Sequence, residues 1–333
     1  MTIPVRKLMR YRGWKVWMSY DMHVSLLAIF YILIVDNLFR PFDSLILISS
    51  LGFYFMYGFL INDFYDMPYD IAAGKRRAVQ ELSKTAFVSM ILAVVFICTL
   101  HLFYLKATLY IVIYIFSYIL ATFYSAPPVR FKTRGLIGIV VNGLIEKTLP
   151  VFAIFAFFNH FGIDTLIFLV TSLFIQVSEI VTHQINDYEH DLKTGSNTFV
   201  VSIGIDNALK VFKNFVSPSS TALMLLLCLL ILVKIPYVYI IAVMIFIAYA
   251  VVSLLISKGR LNREEKVFPL YMACPHFLIS NAFPSFLAFI LSLRFPLYTV
   301  LFLIVALSQY YTVKNFFNTI RRKIIFREEL SDT

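Results

Sequence analysis

Apolar positions in this chain run in long unbroken stretches separated by short polar segments, and they do not alternate with polar ones. Ten stretches come close to the roughly 20 residues a helix needs to cross a bilayer. They lie at about 22–38, 43–62, 84–103, 107–124, 136–158, 163–185, 210–233, 236–257, 268–292 and 295–317. Lipid offers no partner to an unpaired backbone amide, so spanning segments are either helices or strands of a closed barrel. Continuous apolar runs without period-two alternation predict helices.

Composition agrees with that pattern. The 333 residues are 60% hydrophobic and 17% aromatic, against 14% charged, which is more apolar surface than a soluble domain can bury. Charge then orients the helices. With a cytoplasmic N-terminus, 24 of the 29 Lys and Arg fall in inside segments, Arg40, Lys106, Lys234 and Arg294 fall outside, and Lys147 lies within a span. That asymmetry predicts cytoplasmic N- and C-termini. It also accounts for the net charge of +10 through topology and anionic lipid, and no nucleic-acid motif accompanies it. Cys98, Cys228 and Cys274 are scattered in apolar runs, without disulfide or zinc spacing. The basic N-terminus leads into a full-length span with no small-residue cleavage site, which predicts an uncleaved first helix.

The carboxylates are concentrated. Residues 62–70 read NDFYDMPYD, and residues 183–198 read HQINDYEHDLKTGSNT. Both follow even-numbered spans, so both face the cytoplasm. Asp66 and Asp70 are four apart, as are Asp187 and Asp191, and on a helix that spacing puts each pair on one face. One such cluster reads as a solvated helix end. Two, each with an Asn (Asn62, Asn186), make an all-oxygen ligand set suited to Mg²⁺ shared with a phosphate. Bases fit the same substrate: Lys75, Arg76 and Arg77 follow the first cluster, and span 4 ends in YSAPPVRFKTRG, with Tyr124, Arg130, Lys132 and Arg134. Pro127 and Pro128 stop the helix there and predict an extended path that holds Arg130 and Lys132 over the cytoplasmic mouth. Cytoplasmic loops are basic in any case, so topology alone also explains these residues.

Some polar residues lie within spans. Asn142, Glu146 and Lys147 sit on span 5, and Glu179, His183 and Asp187 recur every four residues along span 6. Ionisable groups at membrane depth usually face a cavity or a partner. For Lys147 an ion pair with Glu179 or Glu146 is the simpler reading. Glu179 and His183 form a stripe that leads to Asp187 and predicts a cavity wall. His101, His160 and His276 are isolated and read as structural or interfacial, and Pro275 and Pro284 predict a kink in span 9.

Three motifs in order resemble the UbiA superfamily of intramembrane prenyltransferases. NDFYDMPYD is similar to its Asn-Asp-x-x-Asp-x-x-x-Asp motif, YSAPPVRFK to its Tyr-x-Pro-Pro-x-Arg-x-Lys element, and DYEHDLKTG to its second Asp-x-x-x-Asp motif. The resemblance covers roughly residues 43–200. It implies an all-α polytopic bundle, one domain over 1–333, around a central cavity with a cytoplasmic polar cap; residues 1–21 and 318–333 would be cytoplasmic. Carried over by position, Asn62, Asp66, Asp70, Asp187 and Asp191 would hold Mg²⁺, while Lys75 or Arg76, with Arg130, Lys132 and Tyr124, would contact a polyprenyl diphosphate. Asp66, Asp187, Lys132 and Tyr124 would carry the chemistry, and Asn142, Glu146, Glu179 and His183 would line the pocket of an aromatic or polar-lipid acceptor. The family norm is nine spans against ten here. The Arg that many members place before the first motif is absent from Phe53–Phe59. A membrane terpene cyclase would use the same residues. A divalent-cation transporter is a more distant alternative, since transport sites usually lie near the midplane.

Overall fold

The computed structural model describes residues 22–72, 74, 80, 82–257 and 270–310, and among these it contains helices and no strand. The helices are α1 (His23–Val35), α2 (Pro41–Ala72), α3 (Lys84–Tyr104), α4 (Thr108–Ser125), α5 (Leu136–Gly143), α6 (Leu149–Phe157), α7 (Ile163–Asn186) and α8 (Tyr188–Lys193). They continue as α9 (Phe199–Ile203), α10 (Ile205–Val211), α11 (Ser217–Lys234), α12 (Tyr239–Ser257), α13 (Leu270–Phe277) and α14 (Phe283–Arg294), followed by a helix over 299–310. Among the described residues, seven spans are long and apolar enough to cross a membrane: Pro41–Ile71, Lys84–Tyr104, Thr108–Ser125, Leu136–Phe157, Ile163–Asn186, Ile205–Lys234 and Tyr271–Arg294. Shorter apolar helices occupy His23–Val35, Pro236–Val251 and Pro296–Tyr310. A helix thus stands in the described part of each of the ten apolar stretches.

Side chains are distributed as in a membrane bundle. Leu92, Phe96, Phe103, Val112, Phe116, Phe246 and Ile247 are exposed on outward faces, while Ser50, Ser117, Asn142, Thr171, Ser172 and Gln176 are buried. Helix α1 is apolar all round because it is enclosed all round, between α6 and α14. Helix α2 has 32 residues, about 48 Å at the α-helical rise, and outruns a hydrocarbon core of roughly 30 Å. The apolar pattern ends it at 62, but the helix continues through Pro68 to Ala72 and carries the whole first acidic motif on its extension.

Among the described residues, three composite spans contain a π turn: Leu144–Thr148, Phe212–Val216 and Leu278–Ala282. In each case a proline follows two residues beyond the turn, at Pro150, Pro218 and Pro284. Proline has no N–H, so the carbonyl four residues earlier loses its α-helical partner, and the wider turn accommodates the ring. The change expected at Pro284 is this π turn, with Pro275 inside α13. The first π turn carries Glu146 and Lys147.

Opposite the acidic motifs, hydrogen bonds tie the loops together. His160 bridges Asp36 Oδ2 and Asp164 Oδ2, each at 2.7 Å, and Tyr31 donates to Asp164 Oδ2 at 3.0 Å. The expectation of an isolated His160 is therefore corrected: it links the end of α1 to the start of α7. Burial alone would lower its pKa, but the Asp36 and Asp164 carboxylates outweigh burial and raise it. A raised folded-state pKa means that the stabilisation is complete below the ordinary His value and fades as pH rises through the elevated one. Thermal stability should therefore fall with rising pH across that window in the parent protein. In His160→Ala the fall should be smaller; an equal fall in both would contradict the bridge.

Candidate active site

Helices α2, α4 and α7 all end at the same side of the bundle, and their C-terminal residues enclose two chambers. The mouth chamber, about 210 Å³, is lined by Asn62, Asp66, Asp70, Tyr124, Arg130, Lys132, His183, Asp187 and Asp191. The inner chamber, about 410 Å³, is lined by Tyr54, Phe55, Phe59, Asn142, Glu146, Gln176 and Glu179. Asn62, Tyr124, Lys132, Ile180 and His183 border both. Asn62, Asp66, Asp70, Tyr124, Arg130, Lys132, Asn142, Glu146, Glu179, His183, Asp187 and Asp191 each line one chamber or the other, whereas Asn186 and Arg134 line neither, Arg134 turning back onto the carbonyl of Pro128. Lys75 and Arg76 lie outside the described residues.

Each wall follows from local structure. On α2, Asn62, Asp66 and Asp70 are successive members of an i, i+4 stripe. On the facing wall, Asp187 N donates to His183 O and Asp191 N to Asp187 O, both at 2.9 Å, so helical register persists across the α7–α8 junction. The stripe Glu179, His183, Asp187, Asp191 therefore runs from the inner chamber to the mouth. Gly195, at φ +65°, then reverses the chain: Ser196 N bonds Asp191 O at 2.9 Å, closing α8 in a left-handed cap. Thr194, Ser196 and Thr198 thereby return to the mouth, and Thr198 donates to Asp191 Oδ2 at 3.2 Å.

The basic element departs from expectation. Instead of an extended path, residues 126–129 form a bend and turn around the cis Pro127–Pro128 bond, and Phe131–Thr133 is a 3₁₀ turn. Arg130 sits in the left-handed region at φ +43°, an uncommon conformation for a side-chain-bearing residue that clusters at functional sites. Arg130 and Lys132 still reach the same group. Arg130 Nη2 lies 3.4 Å from Asp66 Oδ1, with its guanidinium 4.0 Å over the Tyr69 ring, and Lys132 Nζ bonds Asp66 directly. Burial lowers the Lys132 pKa, against the opposing pull of Asp66. Ser125 Oγ donates to Asn62 Oδ1 at 2.8 Å and fixes that amide.

Sequence reasoning missed three contributors. A Cβ on Gly138 would lie 2.6 Å from Phe131 O and 3.2 Å from Lys132 Cα, so only glycine lets α5 support the turn that carries Lys132. Gln176 bridges Asn142 and Glu146. His276 Nε2 is 2.8 Å from Glu179 Oε1, which corrects its reading as isolated. Lys147 Nζ is 3.1 Å from Glu179 Oε2, one of the two ion pairs the sequence offers. His101 meets Ser49 Oγ at 3.0 Å and is structural.

Among the described residues, no three His, Cys, Asp or Glu side chains converge closely enough to hold an ion by themselves. The donor chemistry nonetheless suits Mg²⁺, which keeps several waters and takes one or two carboxylates plus phosphate oxygens. Acidic pairs on two walls of one chamber supply that set, with Arg130 and Lys132 beside them.

Fold and surface together define an integral-membrane helical bundle with a polar chamber at one end. The chain belongs to the UbiA prenyltransferase family, whose model matches residues 24–282. Among solved structures it is similar to a UbiA homolog from Archaeoglobus fulgidus bound to GPP and Mg²⁺, at 20% identity and a TM-score of 0.58, over 83% of this chain and 97% of that one. The same homolog bound to DMAPP and Mg²⁺ matches at 19% identity and 0.56, over 84% and 97%. A digeranylgeranylglyceryl phosphate synthase matches at 15% identity and 0.52, over 84% and 98%. Among curated proteins none matches significantly.

Proposed function

We propose that the chain transfers a polyprenyl group from its diphosphate to an acceptor held in the inner chamber, with Mg²⁺ and the diphosphate in the mouth. The observation that carries this reading is the convergence of both Asp pairs, Arg130 and Lys132 on one chamber that opens into a second, partly aromatic one. Family membership supports the reaction class, and the prenyl diphosphates and Mg²⁺ in the Archaeoglobus homolog support donor and metal. The asymmetry of Lys and Arg supports a cytoplasmic mouth, and the ten apolar stretches a bundle of nine to ten spans.

Asn62, Asp66, Asp70, Asp187 and Asp191 would hold the metal. The chemistry a bound Mg²⁺ would supply there is neutralisation of the charge on the diphosphate. Arg130 and Lys132 bind the diphosphate oxygens, and Tyr124 marks the junction where the prenyl C1 enters the inner chamber. As the C1–O bond breaks, its electron pair leaves with the diphosphate. The faces of Tyr54, Phe55 and Phe59 then stabilise the allylic cation until the acceptor attacks.

The test is a reaction in nanodiscs with Mg²⁺, a prenyl diphosphate and a panel of acceptors, followed by mass spectrometry. A prenylated acceptor with release of diphosphate is expected. Cyclic hydrocarbon or alcohol formed without acceptor would make the protein a cyclase instead. Lys132→Ala should raise the donor KM about tenfold or more, the scale of losing a charge-assisted hydrogen bond. An unchanged KM and rate would reduce Lys132 to a topology charge.

A further inference from the structure

Asn142, Glu146 and Gln176 form a closed circuit on the inner chamber. Asn142 Nδ2 donates to Glu146 Oε1 at 2.8 Å, and Gln176 Nε2 donates to Glu146 Oε2 at 2.7 Å and to Asn142 Oδ1 at 2.9 Å. Exchanging O and N on either amide would set like groups against each other, so both orientations are fixed. One buried atom is left over: Gln176 is 4% exposed, and its Oε1 has no hydrogen-bond partner. A buried acceptor of this kind is costly unless a donor from outside the circuit, a water or a ligand, completes it. The circuit's remaining capacity is therefore that of an acceptor, supplied by Gln176 Oε1 and the free lone pairs of Glu146.

Charge narrows the class further. Glu146 and Glu179 both line this chamber. The neighbouring cations are engaged, Lys147 by Glu179 and Lys132 by Asp66. An anionic acceptor group would meet carboxylates, and like charges in a desolvated site are strongly disfavoured. The aromatic and aliphatic walls around the circuit suit an attached hydrocarbon chain.

We propose that the acceptor end held in the inner chamber is an uncharged alcohol with at least two hydroxyls, one donating to Gln176 Oε1 and the reacting one to Glu146. This deepens the transfer reading and rests on it. Once the C1–O bond to diphosphate has broken, the reacting oxygen bonds to C1 of the allylic cation. The bonding pair leaves on the diphosphate, the hydroxyl proton passes to the Glu146 carboxylate, and the product is an ether.

The experiment offers protein in nanodiscs, with Mg²⁺ and one prenyl diphosphate, three acceptors sharing one alkyl tail: a monoalkylglycerol, its phosphate ester and an alkylated hydroxybenzoate. Products are read by mass spectrometry and released diphosphate is read separately. The diol should be prenylated with kcat/KM at least about tenfold above both anions. Gln176→Met should lower kcat/KM for the diol by a similar factor. Glu146→Gln keeps the side-chain shape, guards against a packing defect in the first variant, and should narrow the diol's lead over the anions. Preference for an anion by the parent protein, or an undiminished diol preference in both variants, overturns the assignment while diphosphate release keeps the transfer reading. No release with any acceptor removes both.

Discussion

Replacing Asp66 or Asp187 with Asn should lower turnover by more than about 10²-fold in each case, while the variant remains folded and extractable. The two residues come from different walls, Asp66 from the α2 extension and Asp187 from the α7–α8 junction, yet both line the 210 Å³ mouth. Asparagine keeps the shape and one oxygen but loses the charge that a metal–diphosphate complex requires. The Asp66 change has a second consequence, because Arg130 and Lys132 both point at that carboxylate. Its loss also removes the carboxylate that positions both cations, so the donor KM should change as well as turnover. Steady-state kinetics with donor varied at saturating Mg²⁺ checks this. A near-parental rate in both variants removes the metal assignment.

Lys147→Met should destabilise the fold by about 3 kcal/mol, the scale for breaking one side of a buried ion pair. Lys147 is 2% exposed and sits 3.1 Å from Glu179. Without it, Glu179 keeps only its 2.8 Å contact to His276 among the contacts described above, and it becomes a poorly compensated charge on the wall of the inner chamber. Adding Glu179→Gln removes that charge, so the double variant should recover more than half of the loss. Unfolding in mixed micelles, read as a double-mutant cycle, measures this coupling. Additive effects of the two changes would show that the pair is not what ties α7 to the π turn.

Particular residues show where the sequence sufficed. The i, i+4 spacing of Asp66 with Asp70 and of Asp187 with Asp191 predicted one-sided pairs, and Glu179, His183 and Asp187 predicted a wall; both stripes line the chambers. Hydropathy could not see α2 continue past 62, because an acidic helix outside the hydrocarbon looks like a loop. Spacing alone could not place Arg130 and Lys132 either, since a 3₁₀ turn and a left-handed residue bring them together instead of a strand. The π turns have a readable signal in the prolines at 150, 218 and 284, of which only Pro284 enters the sequence expectation, as a kink. Gln176 and His276 had no local signal. Their importance comes from partners 34 and 97 residues away, contacts that only the packed bundle supplies.

The central claim is that the two Asp pairs serve one diphosphate. Calorimetric binding of a non-reactive prenyl thiodiphosphate, with and without Mg²⁺, tests it most directly. The parent protein should bind one equivalent in a Mg²⁺-dependent manner, and Asp66→Asn and Asp187→Asn should each abolish that dependence. Mg²⁺-dependent binding retained at parental affinity in either variant would contradict a shared site.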